Sequence, residues 1–448
     1  MPPRELIPNI GGGDWSVLMD VLAVGLSPGG VPVGGAPQPK PLPRLQATNP
    51  AFLITSFQSG HGWTSSGSGT PNLNDTSLFK RGSQCLSGLT DGAGGGFSVR
   101  RTGLPSLDWT GKIPAVLFRV DDWTNLSDMS LYMGDTTLAN RFVHTFTDPL
   151  ANAPTQDSML LRNNEWGVLT VPWGVKTAIT GSPNRAAITD YQLRAADKNG
   201  IAINVHWNAL FAVNEQTVFP NGVVSLVFDD GWDSQYTQAR LKMDQYGFPG
   251  SCYVIASQQI NSVNGYMTLQ QLHDLEDMNG WQIGGHAYDT AVHDAWTQAT
   301  VDTATATLDM QRQKAWLVGE GFKGLEHWAM PGGNYNSGIE SVAKRYYATA
   351  RTLNAGNHES LAPWNPMRLR TGMYVINTTT TAAIQTQVDL AYANKTWLIL
   401  VFHKIVAAPS VSTEYSIANF GTVIDYLNTK GIPVRTVNQV LGSVPATG

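Results

Sequence analysis

Residues 223–232, VVSLVFDDGW, decide how the second half of the chain is interpreted. Five of the first six residues in this stretch are apolar, which is typical of a strand in a parallel sheet covered on both faces. The apolar run ends in two aspartates and a glycine. The sequence therefore predicts a buried strand that presents a pair of carboxylates at its carboxyl end.

The same alternation continues toward the C-terminus. Further strands are expected at 251–256, 281–285, 327–331, 347–351, 370–376, 397–402 and 432–436, and helices at 233–246, 268–279, 297–320, 337–345, 381–394 and 416–430. Strands that alternate with helices predict a parallel sheet between two helical layers. Seven or eight such units in residues 219–448 favour a TIM-like (β/α) barrel over an open sheet.

Residues 46–218 have a different texture, in which short β-prone runs such as AFLITSF alternate with turn clusters such as SSGSGTPN. Many short strands with frequent turns predict a β-sandwich. The run from GWTSS to SLYMGD resembles jelly-roll, lectin-like carbohydrate-binding modules, which implies a domain that binds or positions a glycan. Residues 1–45 are expected to form an arm and a linker, because 27–44 are dense in proline and glycine.

Composition excludes several classes of protein. The chain has 448 residues, with 29 basic and 34 acidic side chains, and this near-neutral balance argues against a nucleic-acid partner. No run of 18 apolar residues is present, so no insertion into a membrane is expected. The two cysteines, Cys85 and Cys252, exclude a disulfide scaffold and are predicted to be free and buried.

Four polar elements follow predicted strands of the barrel. They are the Asp229–Asp230 pair, the GGHAYDTAVH stretch with His286 and His293, the MPGGNY stretch at 330–335, and His403. Barrel enzymes carry their catalytic groups at the carboxyl ends of the strands, so these elements predict one active site. The other histidines, His206 among them, have no such context and are expected to be ordinary.

These elements, in this order, resemble the polysaccharide deacetylase (NodB-homology, carbohydrate esterase family four) superfamily over residues 220–440. The resemblance implies a distorted (β/α) barrel and a divalent metal, usually zinc, that serves hydrolysis of N-acetyl or O-acetyl groups on glycans. It also implies roles for single residues: Asp230, His286 and His293 as metal ligands, Asp229 as general base, His403 as general acid, and Pro331, Gly332, Gly333 and Tyr335 as substrate contacts.

The sequence departs from the family pattern twice. Its second histidine lies seven residues after the first rather than four, and position 290 is threonine. We therefore predict that 287–292 loop out of regular helix, with Asp289 or Asp294 as the fallback ligand. The arginine that usually opens the third motif is replaced by Met330, and we expect Arg370, or less favourably Arg368, to supply the guanidinium that orients the base.

The leading hypothesis is a deacetylase acting on a polysaccharide or peptidoglycan-like polymer of the bacterial envelope. The arrangement of arm, linker, sandwich and barrel is similar to that of phage minor tail proteins, which implies a virion-tail or extracellular location and contacts with other tail proteins through the arm. A homo-oligomer is compatible with the sequence. The alternatives are a non-catalytic, receptor-binding tail component that uses the barrel as a scaffold, and, less favoured, a glycosidase with a carboxylate pair.

Overall fold

The structure is a computed structural model, and it describes residues 52–145, 163–170, 173, 177–214, 218–297, 301–353, 358–361, 363 and 366–443. The predicted arm and linker at 1–45 lie outside these residues. Strands fill the first part of the described chain, and helices alternate with strands in the second. We refer to residues 52–214 as the β region and to residues 218–443 as the α/β region.

In the β region, the described residues form two antiparallel sheets of six strands each. The strands are β1 (Phe52–Thr55), β2 (Thr64–Gly67), β3 (Thr70–Asp75), β4 (Cys85–Leu89), β5 (Gly96–Arg101), β6 (Lys112–Val120), β7 (Leu126–Gly134), β8 (Arg141–Thr145), β9 (Trp166–Thr170), β10 (Thr177–Thr180), β11 (Asp190–Asp197) and β12 (Asn204–Asn214). One sheet has the order β3-β4-β12-β6-β9, with β1 paired to β12, and the other has the order β10-β8-β7-β11-β5-β2.

The two sheets share one apolar core. Val116 and Trp207 come from the first sheet, Val99 and Leu193 from the second, and all four belong to the same buried cluster. Five of the six tryptophans of the β region are at most 4% exposed, and Trp166 is half-buried. The tryptophans therefore serve mainly as core, and the jelly-roll assignment and glycan binding stay predictions.

The described part of the α/β region contains a seven-stranded parallel sheet of order β17-β16-β15-β14-β13-β19-β18. Its strands are β13 (Val223–Asp230), β14 (Ser251–Ile255), β15 (Gln282–Ala287), β16 (His327–Ala329), β17 (Thr349–Arg351), β18 (Met373–Tyr374) and β19 (Trp397–Phe402), followed by the small pair β20 (Lys404–Val406) and β21 (Glu414–Ser416).

Helices connect these strands, as the alternation predicts. They are α1 (Leu241–Asp244), preceded by a π-helical segment at Gln235–Arg240, then α2 (Ala256–Ile260), α3 (Leu269–Asp277), α4 (Thr290–Asp294), α5 (Thr303–Gly319), α6 (Ser337–Tyr346), α7 (Thr381–Asn394), α8 (Ile417–Lys430) and α9 (Val437–Ser443). No helix in the described ranges is both long enough and apolar enough to cross a membrane.

The sheet curls, so it matches the predicted barrel loosely. The Leu369 N–H donates to the carbonyl of Ala350 in β17, and the Gly372 N–H donates to that of Ile399 in β19. The segment at 369–374 therefore bonds to strands from both sides of the sheet. The prediction of an eighth strand at 432–436 is wrong, because this segment contributes a single bridge, between Val434 and Val224.

Alternate residues of β13 and β19 point to opposite faces, as the strand period requires. Leu226 and Phe228 join the core shared with the helices. On the opposite face, Val227 packs in a separate apolar core with Ile399 and Val401. Asp229 continues the face of Val227, and His403 continues the face of Val401, so both polar residues end the same apolar wall.

Candidate active site and metal centre

The predicted site residues come from separate segments that meet at the carboxyl edge of the parallel sheet. Asp229 and Asp230 are the last two residues of β13, His286 lies near the end of β15, and His403 follows β19 directly. His293 reaches the same place from the short helix α4. Because the carboxyl ends of parallel strands lie at one edge, groups far apart in sequence become neighbours there.

Asp230, His286 and His293, which we call the metal triad, form a compact triangle. The two histidine Nε2 atoms are 3.3 Å apart, and each lies 3.5 Å from Oδ1 of Asp230. Zinc holds nitrogen and oxygen ligands at about 2.0–2.2 Å, which places the ligand atoms of a tetrahedral site about 3.4 Å from one another. The three separations have this value.

Second contacts of the two imidazoles fix which nitrogen faces the centre. The Nδ1–H of His286 donates to the carbonyl of Ala329 at 2.8 Å, and the Nδ1–H of His293 donates to Asp294 at 2.9 Å. In the neutral form of each imidazole, Nε2 therefore directs its lone pair toward the other histidine and toward Asp230. Burial lowers the pKa of His286 to about 4, so that imidazole is neutral at pH 7.

Three ligand atoms thus converge on one point. Oδ1 of Asp230 is buried and has no hydrogen-bond partner among the described residues. Buried acceptors at these distances repel one another unless a cation lies between them. The donor set, one carboxylate and two imidazoles, is one that Zn²⁺ and similar divalent ions bind, so the residues present fit the metal that the resemblance implies.

The backbone conformation at the end of β13 directs the two adjacent carboxylates to different partners. Asp230 has φ = +71°, in the left-handed region that few residues other than glycine adopt, and Gly231 follows with φ = +83°. The indole N–H of Trp232 donates to Oδ2 of Asp230 at 2.9 Å, which holds that carboxylate toward the histidines.

The spacing of the histidines is explained by the end of β15. His286 is still in the strand, residues 288–289 bend, and α4 begins at Thr290, where Oδ1 of Asp289 accepts the N–H of Ala291 as a helix cap. The expectation that 287–292 avoid regular helix is correct at 288–289 and wrong at 290–292. Neither fallback ligand is needed, because Asp289 caps the helix and Asp294 orients His293.

Asp229 is held by an arginine that the sequence analysis missed. One guanidinium nitrogen of Arg351, the last residue of β17, donates to both carboxylate oxygens at 2.7 Å, and both side chains are at most 2% exposed. Burial raises the pKa of the Asp229 carboxyl, but Arg351, with His286 and His403, outweighs burial and holds that pKa below its ordinary value. Asp229 is therefore ionised at neutral pH and able to accept a proton.

The prediction that Arg370 or Arg368 orients the base is wrong. The Arg370 backbone N–H and side chain face Glu359, with the ion pair at 3.9 Å. The Arg368 side chain pairs with Glu340 at 2.6 Å. The signal for Arg351 was an arginine at the end of a predicted buried strand, but its pairing with a carboxylate 122 residues away follows only from the strand order.

His403 lies between the two aspartates. Its Nε2 is 4.0 Å from Oδ2 of Asp229 and 4.0 Å from Oδ2 of Asp230. The ring of Tyr374 packs edge-on against it, with the centroids 5.3 Å apart. This position places an imidazole next to Asp229 and the metal triad.

Gln235 links the backbones of Asp229 and His403, and no sequence motif marked it. Its buried side-chain amide donates to the carbonyl of Asp229 at 2.6 Å and to that of His403 at 3.2 Å. Its oxygen accepts the thiol of Cys252 at 3.2 Å. Cys252, like Cys85, is free and buried, as predicted.

The predicted substrate contacts lie in a tight turn after β16. Gly332 and Gly333 both have positive φ, and a Cβ on Gly333 would meet the backbone nitrogen of Leu353 at 2.7 Å, so this position requires glycine. Tyr335 is 4% exposed and lies in the apolar core, which removes it from the rim, contrary to its predicted role. Contacts of Pro331, Gly332 and Gly333 with substrate stay predictions.

Comparison with protein families finds one match, which lies in this region. Residues 217–350 match the family model for polysaccharide deacetylases. The match contains the metal triad and Asp229, and it ends one residue before Arg351. The match covers less than half of the chain, and it shows a similarity of this segment to polysaccharide deacetylases. No curated protein matches the chain.

Several solved structures are similar to parts of the chain. A deacetylase from Streptococcus pyogenes in complex with acetate is 22% identical with a TM-score of 0.30, and the match covers 33% of this chain and 62% of that one. The family 4 carbohydrate esterase of Streptomyces lividans is 17% identical with a TM-score of 0.34, covering 48% and 93%. A family 4 acetyl xylan esterase of Clostridium thermocellum, in complex with a cobalt ion, is 17% identical with a TM-score of 0.34, covering 50% and 93%.

Proposed function

We propose that the protein is a metal-dependent hydrolase that removes N-linked or O-linked acetyl groups from a glycan of the bacterial cell envelope. The observation that carries the proposal is the triangle of one carboxylate oxygen and two imidazole nitrogens beside Asp229, which Arg351 holds in place. A site that served only to stabilise the fold would not place three converging acceptors at the open edge of the sheet.

Asp230, His286 and His293 would hold the divalent ion, most simply Zn²⁺. Bound there, the ion supplies Lewis-acid polarisation of the acetyl carbonyl. The hydrogen bonds to Ala329 and Asp294 keep both imidazoles oriented toward it.

The remaining steps are proton transfers by residues of this chain. Asp229 takes a proton from the water whose oxygen adds to the acetyl carbon. The C–N or C–O bond then breaks, and His403, in its protonated form, gives its Nε2 proton to the departing amine or alkoxide. The products are acetate and a free amino or hydroxyl group, and the two proton transfers balance.

The polymer and its location complete the proposal. A polysaccharide or peptidoglycan-like substrate fits the deacetylase match at residues 217–350. Delivery at the envelope as part of a phage tail, with the arm contacting other tail proteins, is supported by the proline- and glycine-rich segment at 27–44 ahead of the β region. Detection of the chain in purified virions supports this location, and its recovery from phage-free culture supernatant favours a secreted enzyme.

The test of the activity is acetate release from acetylated chito-oligomers by the full chain, with bound metal measured on the same samples. We expect wild type to release acetate and Asp229→Asn to lose release while it keeps its metal. Asp230→Asn should lose both, and Asp233→Asn, an exposed neighbour with the same change of charge, should lose neither.

Two outcomes would replace the proposal. If wild type binds no metal and hydrolyses nothing on a broad panel of acetylated glycans, the non-catalytic scaffold becomes the better account. Release of reducing ends without acetate would favour the glycosidase alternative.

A further inference from the structure

A second group of metal-ligating side chains lies in the β region, away from the proposed active site. It consists of Asp75 at the end of β3, Cys85 at the start of β4 and His206 on β12, and we call it the second cluster. The strands β3, β4 and β12 are neighbours in one sheet. All three residues are at most 5% exposed, although aspartate and histidine are seldom buried so fully without a strong partner.

The donor atoms of the second cluster are spaced like the ligands of one ion. Nδ1 of His206 is 3.4 Å from Oδ2 of Asp75 and 3.8 Å from Sγ of Cys85. Zinc–ligand distances of about 2.0–2.2 Å for nitrogen and oxygen and about 2.3 Å for sulfur place tetrahedral ligands about 3.4 Å apart for N and O and about 3.6 Å apart for N and S. Both separations lie close to these values.

The surroundings of the second cluster orient its carboxylate. Oδ1 of Asp75 accepts the N–H of Ser77 at 2.8 Å and the hydroxyl of Ser77 at 2.5 Å, which leaves Oδ2 directed at His206. Sγ of Cys85 also lies 3.2 Å from the carbonyl oxygen of Leu78, so this oxygen is available as a fourth metal ligand. Hydrogen bonds that orient a carboxylate are the usual outer contacts of a metal ligand.

The segment that covers the second cluster is fastened to the same sheet. Asn208, two residues after His206 in β12, accepts the backbone N–H groups of Lys80 and Arg81 at 2.7 and 2.6 Å. Its amide donates to the carbonyl of Gln84 at 3.1 Å. Residues 76–84 thus cover the three side chains of the second cluster. This cover keeps water away from the side chains, as is usual in a structural metal site.

We propose that Asp75, Cys85 and His206 form a structural site for a borderline-soft divalent cation such as Zn²⁺, which fastens residues 76–84 to the outer face of the sheet. Sulfur, imidazole and carboxylate donors together favour zinc over magnesium or calcium. On binding, the Cys85 thiol loses its proton to solvent, and the S–H that donates to Leu78 is replaced by a sulfur–metal bond. This proposal corrects the expectation that His206 is an ordinary histidine, and it does not depend on the proposed function.

Cobalt substitution of the full chain tests the proposal without any variant. Thiolate coordinated to Co²⁺ gives a charge-transfer band in the near ultraviolet, whereas the metal triad has no sulfur ligand. We expect the metal-free wild-type chain to develop this band as Co²⁺ is added, saturating at one equivalent of thiolate-bound ion. Absence of the band in wild type overturns the proposal and leaves Cys85 as a thiol that is only hydrogen-bonded.

Variants assign the band to its ligands. Cys252→Ser, a matched control at the only other cysteine, and His286→Ala should keep the band, while Cys85→Ser and Asp75→Asn should lose or shift it. Retention of an unchanged band in Cys85→Ser would overturn the assignment. If Cys85→Ser does not fold, the wild-type titration and Asp75→Asn still decide.

Metal content and stability give a second measurement. In His286→Ala, which disables the metal triad, one equivalent of zinc should remain and its removal by a chelator should lower the thermal midpoint. A His286→Ala chain that holds no zinc and melts at the same temperature with and without chelator would contradict the site.

Discussion

Replacement of Arg351 by methionine removes the guanidinium that donates to both oxygens of Asp229 at 2.7 Å. The methionine retains most of the apolar volume, so the main change is the loss of the charge partner. Asp229 is then a carboxylate with 2% exposure and without its principal cation. Removing one partner of a buried ion pair lowers the free energy of unfolding by about 3–5 kcal/mol, because the remaining charge stays desolvated.

The same change impairs catalysis. A mispositioned or protonated Asp229 no longer accepts a proton from water, and a positioned general base contributes about 10²–10⁴-fold to rate. We expect kcat for acetate release from Arg351→Met to fall about 100-fold, with a smaller change in KM and with metal content retained. Urea denaturation gives the stability change, and initial rates at saturating substrate give kcat.

Two further variants separate the charge pair from general damage. Asp229→Asn combined with Arg351→Met should recover part of the lost stability, because no unpaired carboxylate remains, and should show no additional loss of rate beyond Asp229→Asn alone. Arg370→Met removes a buried cation that faces Glu359 instead, so it should lower stability while folded enzyme keeps near-normal kcat. An Arg351→Met enzyme with wild-type kcat, or an Arg370→Met enzyme with the 100-fold loss, would refute the assignment of Arg351 as the residue that holds the base.

Other substitutions probe the metal triad, the acid and the pH response. Trp232→Phe removes the N–H donor to Asp230 and should weaken zinc binding about 10-fold in competition with a chelator, whereas unchanged affinity would contradict the role of that hydrogen bond. His403→Asn should reduce kcat about 100-fold with zinc content unchanged, and loss of the metal instead would make His403 a ligand. Burial lowers the pKa of His327 to about 4, below the ordinary value of about 6.5, so between these pH values the unfolded chain binds a proton that the folded chain does not. The urea concentration at the unfolding midpoint of wild type should therefore fall as pH drops from 6.5 toward 4. His327→Gln, which is less stable at pH 7, should show a smaller fall in this midpoint over the same interval. An identical fall in both proteins would exclude His327 as a contributor.

The strands and helices of the α/β region are well predicted because their signals are local. A run such as WLILVF is apolar at every position and forms β19 at the predicted residues 397–402. The placement of His403 at the end of the inner face follows from the two-residue period of that strand. Asp229 and Asp230 were found in the same way, since they end a strand whose eight residues are all buried.

Pairings across the sheet could not be predicted from local signals. Arg351 lies 122 residues from Asp229, and only the order of the strands shows that the two ends meet. The second cluster was not predicted for the same reason, because Cys85 and His206 are 121 residues apart in the sequence. Tyr335 was misplaced because a motif indicates a neighbourhood, whereas packing decides whether a ring points to solvent or to the core.

Gln235 gives the base and the acid a common anchor that does not involve their side chains. Its amide fixes the main chains of Asp229 and His403, so exchange of either side chain leaves the other at its original coordinates. Exchange of the His403 side chain therefore removes one chemical group without releasing the backbone that carries it, whereas exchange of Asp229 also leaves the Arg351 guanidinium buried without its carboxylate. In both cases the backbone frame that receives the side chains persists.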